Sequence, residues 1–286
     1  MSASHSFVTP LRYPGGKGRL GSWLAELIEH NGLQDGCYVE PYAGGAGAAV
    51  FLLVNNYIDR IVINDLDPVV HAFWWAVLNN TDEFIEKIWN TPVNMDTWHE
   101  QKAIIQAEDT RNLTQLGFAT FFLNRTNRSG IIKGGVIGGK NQTGNYKLDA
   151  RFNKGDLTSR IRRLGMLKNK IELHNIDAVA LLTTEAIEIS DNTLVYLDPP
   201  YFQKGSQLYR NHYKPDDHAA IANTVKDMKT PWLVTYDNCE EIKSLYSDTK
   251  GAEFSLHYST HLARPMEKEA LFYGNLHLKS MPTMKR

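Results

Sequence analysis

The sequence predicts an α/β fold, a mostly parallel sheet flanked by helices, interrupted by a long insertion that is mostly helical and carries a hairpin. Three observations lead there. Short apolar runs of strand character end in a carboxylate at Glu40, Asp65 and Asp198. Strand-like and helix-like patterns alternate along the chain, as they do when a sheet is wound from parallel strands. Between the second strand and the third lies a basic stretch, residues 69–169, too long to be a structureless loop in a compact domain.

The elements follow in order. Residues 37–40 read as a strand, and Tyr42-Ala43-Gly44-Gly45-Ala46-Gly47 as a glycine-rich turn that opens a helix near 45–55. Missing side chains at such a turn let a ligand lie against the backbone. The spacing is not the GxGxxG dinucleotide fingerprint, and no Lys-Ser/Thr pair follows the glycines as in a phosphate-binding P-loop. Arg60-Ile61-Val62-Ile63-Asn64-Asp65 is a second strand, with its carboxylate placed as a ribose-binding acid stands relative to such a turn.

Strands resume near 171–175, leading to Asp177, and at 193–198. The latter runs into Asp198-Pro199-Pro200-Tyr201. Proline has no N–H and cannot continue a central strand, so this strand stops there and holds Asp198 and Tyr201 at its C-terminal edge. In open α/β sheets that edge is where ligands bind. An amphipathic helix at about 215–229 and strands at 232–236, 254–258 and 269–273 complete the pattern, and 279–286 reads as a frayed, flexible tail.

With 42% hydrophobic residues over 286 positions the chain can bury a full core. No apolar run is long enough to span a bilayer and no secretory signal precedes the first motif, so the protein is expected to be cytoplasmic, without a membrane partner. Cys37 and Cys239 are the only cysteines and neither CxxC nor HExxH occurs, so no disulfide framework and no metal is expected. The net charge of −1 hides an asymmetry: residues 111–170 carry thirteen Lys or Arg against Asp149 and Asp156 alone. Such a segment has the electrostatic footprint of one that faces phosphates.

Four stretches, in this order, carry a family resemblance: Arg12-Tyr13-Pro14-Gly15-Gly16-Lys17, Glu40-Pro41-Tyr42-Ala43-Gly44-Gly45-Ala46-Gly47, Asn64-Asp65 and Asp198-Pro199-Pro200-Tyr201. Through them the chain, over about residues 8–275, resembles the Dam-type (D12 class) DNA N6-adenine methyltransferases. The resemblance implies a Rossmann-like class I methyltransferase sheet, formed by residues 1–68 and 170–278, with a target-recognition domain inserted at 69–169. It implies S-adenosylmethionine as cofactor, double-stranded DNA as partner and, for some members, a cognate restriction endonuclease.

The resemblance also places residues. Asp198, Pro199, Pro200 and Tyr201 would be catalytic: the Asp198 carboxylate and the Pro199 carbonyl accept the hydrogens of an adenine N6 amine, and Tyr201 stacks on the flipped base. Tyr13, Lys17, Glu40, Pro41, Tyr42, Ala43, Gly44, Gly45, Gly47 and Asp65 would line the cofactor site with Asp198, Lys17 meeting the methionine carboxylate. Asp177 could approach the cofactor adenine or simply cap the helix after it. In the insertion, Asn124-Arg125-Thr126-Asn127-Arg128-Ser129-Gly130 resembles the start of the family's recognition hairpin, while residues 131–139 depart from the pattern of GATC-methylating enzymes. Arg125, Asn127, Arg128, Lys133, Lys140, Lys147 and Arg151 are the expected DNA contacts; Arg128 and Lys133 could read guanine and Asn127 adenine, or all could hold phosphates. Methylation of cytosine N4 or of adenine in structured RNA would share the chemistry, and a non-catalytic DNA-binding module could share the fold.

Overall fold

The computed structural model describes residues 9–12, 17–184, 187–203, 213–257 and 266–282, without the side chains of 255–257, 266 and 267. Seven strands form one sheet: β1 (Cys37–Glu40), β2 (Arg60–Asn64), β3 (Ile171–His174), β4 (Thr193–Leu197), β5 (Trp232–Asp237), β6 (Lys250–His257) and β7 (Met266–Gly274), in the order β3-β2-β1-β4-β5-β7-β6. Neighbours from β3 to β5 are parallel, and β7 runs antiparallel between β5 and β6. The chain winds outward from β1 to β3 and returns to β4 on the other side of β1. The strand order therefore reverses between β1 and β4, and a crevice opens there at the carboxyl ends of the strands.

Alternate residues of each strand serve opposite faces. Tyr38, Ile61, Ile63, Leu194, Tyr196 and Leu233 join one apolar cluster; Val39, Val62, Val195, Leu197, Val234 and Tyr236 join the other. The first face is covered by α1 (Gly21–His30) and α2 (Gly47–Val54), and the second by α8 (Ala178–Thr183) and the helices Pro215–Asp227 and Glu240–Leu245.

Between β2 and β3 the chain is helical: α3 (Pro68–Asn79), α4 (Thr81–Asn90), α5 (Met95–Ala107), α6 (Leu113–Thr126) and α7 (Lys154–Met166). Asp67, Asn94, Asn112 and Asn153 cap α3, α5, α6 and α7 by accepting early backbone N–H groups, the ordinary use of a short polar side chain at a helix start. Val69, Val70, Phe73, Trp74 and Val77 of α3 are fully buried, while His71 and Trp75 are half-buried and Asn79 is exposed, so this helix is covered except along one narrow stripe. α6 provides that cover, with Gly117 against the Ala72 carbonyl where any Cβ would collide. The helices of this segment share one continuous apolar cluster with α1, α2 and the first face of the sheet.

The expected hairpin is reduced to a single antiparallel bridge, Asn127 with Val136, closed by Arg128 N–H to the Gly135 carbonyl (2.9 Å) and Ile137 N–H to the Thr126 carbonyl (2.9 Å). Beyond it the chain turns at Gly138 and Gly139, both at positive φ. Glycines in a would-be strand weaken the ladder, which accounts for the difference.

Candidate active site

The glycine-rich turn lies where β1 ends. Gly44 is left-handed (φ 46°), its N–H donates to Asp65 Oδ2 (2.8 Å) and its carbonyl accepts from the Trp74 indole (2.9 Å). Ala43 N–H bonds the Asn64 carbonyl (2.9 Å), the Pro41 carbonyl accepts from the Asn64 amide (2.9 Å), and Gly45's carbonyl accepts the Thr9 hydroxyl (2.5 Å). Gly47 opens α2 with Gly18 so close that a Cβ would stand 3.1 Å from its Cα. The turn is thus pinned from β2, from α3 and from the N-terminal segment.

Two carboxyls border it. Glu40 is buried, and its Oε1 accepts from the Tyr38 hydroxyl (3.2 Å) and from Ala49 N–H at the start of α2 (3.2 Å). Burial pushes its carboxyl up to about 8, against the pull of those two donors. Asp65 Oδ1 accepts from Asp67 N–H (2.9 Å) while its Oδ2 holds Gly44, and burial pushes this carboxyl up to about 7. The Tyr42 hydroxyl stands 2.7 Å from that of Tyr213. Asp177 is exposed and caps α8 through Val179 N–H (2.9 Å) and Ala180 N–H (3.1 Å), the second of the two roles open to it. Tyr13 lies outside the described residues.

At the end of β4, Asp198 follows Leu197 directly. Thr235 of β5 donates its hydroxyl to Asp198 Oδ1 (2.9 Å), and so accepts from the Tyr196 hydroxyl (2.8 Å), since one hydroxyl has one proton to give. Lys17 meets Asp198 here. Its ammonium lies on both Asp198 oxygens (2.7 and 2.9 Å), 3.6 Å from Glu269 Oε2 and 5.5 Å from the centre of the Tyr201 ring. At 5% exposure it is withdrawn from solvent, because an ammonium taken out of water needs the two carboxylates that meet there. Tyr201 is itself buried and donates its hydroxyl to Glu269 Oε1 (2.5 Å). Pro199 is buried and Pro200 half-buried, and the turn after Tyr201 is held by Asp237, whose oxygens accept Phe202 N–H and Gln203 N–H (both 2.9 Å).

Three residues at this edge escaped the sequence reading: Thr235, Asp237 and Glu269. Asp237 ends an apolar strand, the same signal that singled out Asp65 and Asp198. Glu269 carries no such signal. It starts its apolar run instead of ending it, and reaches the crevice only because β7 runs antiparallel and pairs Glu269 with Asp237.

Of the expected DNA contacts, Arg128, Lys133, Lys140, Lys147 and Arg151 are exposed. Asn127 and Arg125 are not, and their expected roles are corrected. Asn127 is closed to solvent: its Oδ1 accepts from the Trp98 indole (2.7 Å) and its amide donates to the Ile131 and Ile132 carbonyls (3.0 and 2.9 Å), leaving nothing for a base. Arg125, 9% exposed, donates Nε to the Pro10 carbonyl (2.7 Å) and holds the N-terminal segment against α6. Burial pulls its guanidinium down to about 9. No group of three or more His, Cys, Asp or Glu among the described residues could hold a metal, and no helix among them is long and apolar enough to cross a membrane.

A family model described as D12 class N6 adenine-specific DNA methyltransferase matches residues 13–263. The type II methyltransferase M.CviBI of Paramecium bursaria Chlorella virus NC1A is 24% identical over 223 residues, 77% of this chain and 80% of the relative. The type II methyltransferase M.MjaIII of Methanocaldococcus jannaschii is 27% identical over 207 residues, 67% and 68% of the two chains. Among solved structures, a Pyrococcus horikoshii protein described as a candidate RNA methyltransferase superposes with a TM-score of 0.42 at 11% identity, over 92% of this chain and 84% of that one.

Proposed function

Because the chain belongs to the family of D12 class N6 adenine-specific DNA methyltransferases, we propose that it moves a methyl group from S-adenosylmethionine to the N6 amine of an adenine flipped out of duplex DNA. The single observation that carries the reading is Asp198-Pro199-Pro200-Tyr201 at the end of β4, beside the switch point, with a carboxylate held by Thr235. The surroundings fit the donor. Gly44, Gly45 and Gly47 bring no side chains to the turn, and Asp65 keeps acceptor lone pairs beyond the two it uses for Gly44 and Asp67. Asp65 would hold the ribose hydroxyls, with Glu40, Pro41 and Tyr42 shaping the wall.

S-adenosylmethionine supplies an electrophilic methyl on a sulfonium. An adenine N6 is a poor nucleophile because its lone pair is delocalised into the ring. Asp198 and the Pro199 carbonyl would each accept one N6 hydrogen, draw the nitrogen toward tetrahedral geometry and aim its lone pair. The Asp198 carboxylate then stabilises the positive charge that grows on the nitrogen and guides its proton away. Tyr201 gives the base a stacking face worth about 1–3 kcal/mol, against an unstacking cost of a few kcal/mol. That face now lies under the Lys17 ammonium. Residues 69–169 would recognise the target, with Arg128, Lys133, Lys140, Lys147 and Arg151 toward the duplex. Its place would be the cytoplasm, and a cognate restriction endonuclease would cut the same sequence when unmodified.

The test is methylation of genomic DNA by the purified protein with labelled S-adenosylmethionine, followed by nucleoside mass spectrometry and long-read sequencing. N6-methyladenine at one short motif is expected. N4-methylcytosine, methylation of RNA alone, or cofactor binding without turnover would overturn it.

A further inference from the structure

Lys17 and Asp198 form a partly buried pair, but a second carboxylate stands beside them. Glu269 is 1% exposed, its Oε1 accepts the Tyr201 hydroxyl, and its Oε2 has no hydrogen-bond partner among the described residues. Lys17 Nζ is 3.6 Å from that oxygen, against 2.7 and 2.9 Å from the oxygens of Asp198. A buried acceptor left unsatisfied costs about 1–3 kcal/mol, so a donor this near is drawn to it once another group takes the donor's present acceptor. The ammonium is within about 1 Å of a hydrogen bond to Glu269.

We propose that Glu269 is a positioning residue for methyl transfer, receiving the Lys17 ammonium when the target amine takes Asp198, so that Lys17 alternates between two carboxylates. The inference rests on Asp198 being the acceptor of the target amine. The site holds two carboxylates and one ammonium; a neutral amine replaces the ammonium on Asp198, and Glu269 prevents a buried cation from being stranded. A stranded cation would be strongly unfavourable, so without Glu269 the lysine keeps its grip on Asp198 and the amine competes against an ion pair. The exchange also serves the chemistry. An ammonium on Asp198 would repel the positive charge that develops on N6, whereas one moved to Glu269 leaves the Asp198 charge for the transition state.

Among the described residues, the titratable groups that face Glu269 are Lys17, Asp198 and the Tyr201 and Tyr196 hydroxyls, with Asp237 opposite it on β5. Burial pushes its carboxyl up to about 7, so on the acid side it is neutral and cannot receive the lysine. On the alkaline side it is charged and can.

The experiment is single-turnover methylation of a duplex bearing the motif mapped for the wild-type enzyme, between about pH 6 and 8.5, with the variants Glu269→Gln and Glu269→Asp. The wild-type rate should rise with pH through about 7. Glu269→Gln should be slower by roughly 10- to 100-fold and lose that rise, while S-adenosylmethionine affinity stays within about threefold. Glu269→Asp, which keeps the charge, should restore part of the rate and the rise. A Glu269→Gln enzyme with wild-type rate and wild-type pH profile overturns the proposal, whereas a wild-type enzyme that transfers no methyl group overturns the function itself. Should Glu269→Gln fail to fold, a structure of the wild type with the mapped duplex and the non-reactive analogue sinefungin decides. Lys17 Nζ is expected about 3 Å from Glu269 Oε2 and released from Asp198; Lys17 still on both Asp198 oxygens with the base in place overturns the proposal.

Discussion

Charge is used in opposite ways in two regions of this molecule. At the carboxyl edge of the sheet, Lys17 and Glu269 are nearly closed to solvent and each meets a specific partner a few ångströms away. Around the loop after α6, Arg128, Lys133, Lys140, Lys147 and Arg151 stand in water. A buried charge fixes position, because leaving its partner is costly and salt does not reach it. An exposed one fixes nothing, but its field extends over a Debye length of about 8–10 Å and draws a polyanion toward the surface. Arg125 and Arg128 make the contrast within one short stretch: the first is buried on the Pro10 carbonyl and structural, the second is exposed. Position in a fold, more than residue type, decides what a cation is for.

The largest effect should come from breaking the buried region at its centre. Asp198→Ala is expected to lower turnover by about 10³-fold or more, with S-adenosylmethionine affinity nearly unchanged. The fold should survive, because Lys17 keeps Glu269 within reach. Asp198→Asn preserves the shape and should also fail, since its amide cannot reproduce a charged acceptor. Near-wild-type methyl transfer by either variant, in a filter assay with labelled cofactor, would remove Asp198 from the chemistry.

Next is Asp65→Ala. The lost carboxylate leaves the Gly44 and Asp67 N–H groups and the ribose hydroxyls unpaired, for about 1–3 kcal/mol or roughly 5- to 150-fold in the Kd for S-adenosylmethionine. DNA affinity should not change. Calorimetric titration checks this, and an unaltered cofactor Kd would leave Asp65 as a clasp for the turn only.

A smaller effect appears in stability. Burial raises the Glu40 carboxyl to about 8, above its unfolded value, so the folded state holds a proton that the unfolded state has already lost. Stability from this group is therefore greatest on the acid side and declines as pH rises from about 4 toward 8. Glu40→Gln keeps an acceptor for Tyr38 and Ala49 without the charge, and should gain a few kcal/mol at pH 8, several degrees in Tm, and less than about 1 kcal/mol at pH 5. Equal gains at both pH values, seen by scanning calorimetry, would mean that the Glu40 charge is not what strains the fold.

The same contrast explains which features are legible in the sequence. Strands that end in carboxylates, the Pro-Pro stop after Asp198 and the turn at Gly44 are local signals, and the mostly parallel sheet and the carboxylates at its edge followed from them, whereas the strand order did not. The pairing of Lys17 with Asp198 and its closeness to Glu269 were not legible, because they are set by a tertiary meeting of β4 and β7 that no local pattern contains. Glu269 was invisible for the same reason: its strand is antiparallel, so the end that reaches the crevice is the start of its apolar run. Asn127 looked like a base reader because an asparagine beside an arginine has that chemistry. Only the fold shows that Trp98, Ile131 and Ile132 have taken its hydrogen bonds.

The smallest effects, taken one residue at a time, belong to the exposed cations, and they sharpen the comparison best. If the loop after α6 holds duplex DNA mainly through phosphates, affinity should fall by about 0.9 log units per log unit of salt for each phosphate neutralised. Lys133→Ala, Lys140→Ala or Lys147→Ala should then weaken binding to every sequence and flatten that slope by about one. Arg128→Ala is the expected exception, costing about 1–3 kcal/mol and relaxing preference at one position, because its exposed guanidinium stands at the mouth of the bridge closed by Asn127 and Val136. Asn127→Ala should behave as a buried-region change, lowering Tm without altering the salt slope, since it leaves the Trp98 indole and two carbonyls unpaired. The measurement is a salt series on cognate and scrambled duplexes, with a melting curve for each variant. Equal losses on both duplexes would return Arg128 to the phosphate-holding group, and a salt-independent wild type would take the whole loop away from the DNA.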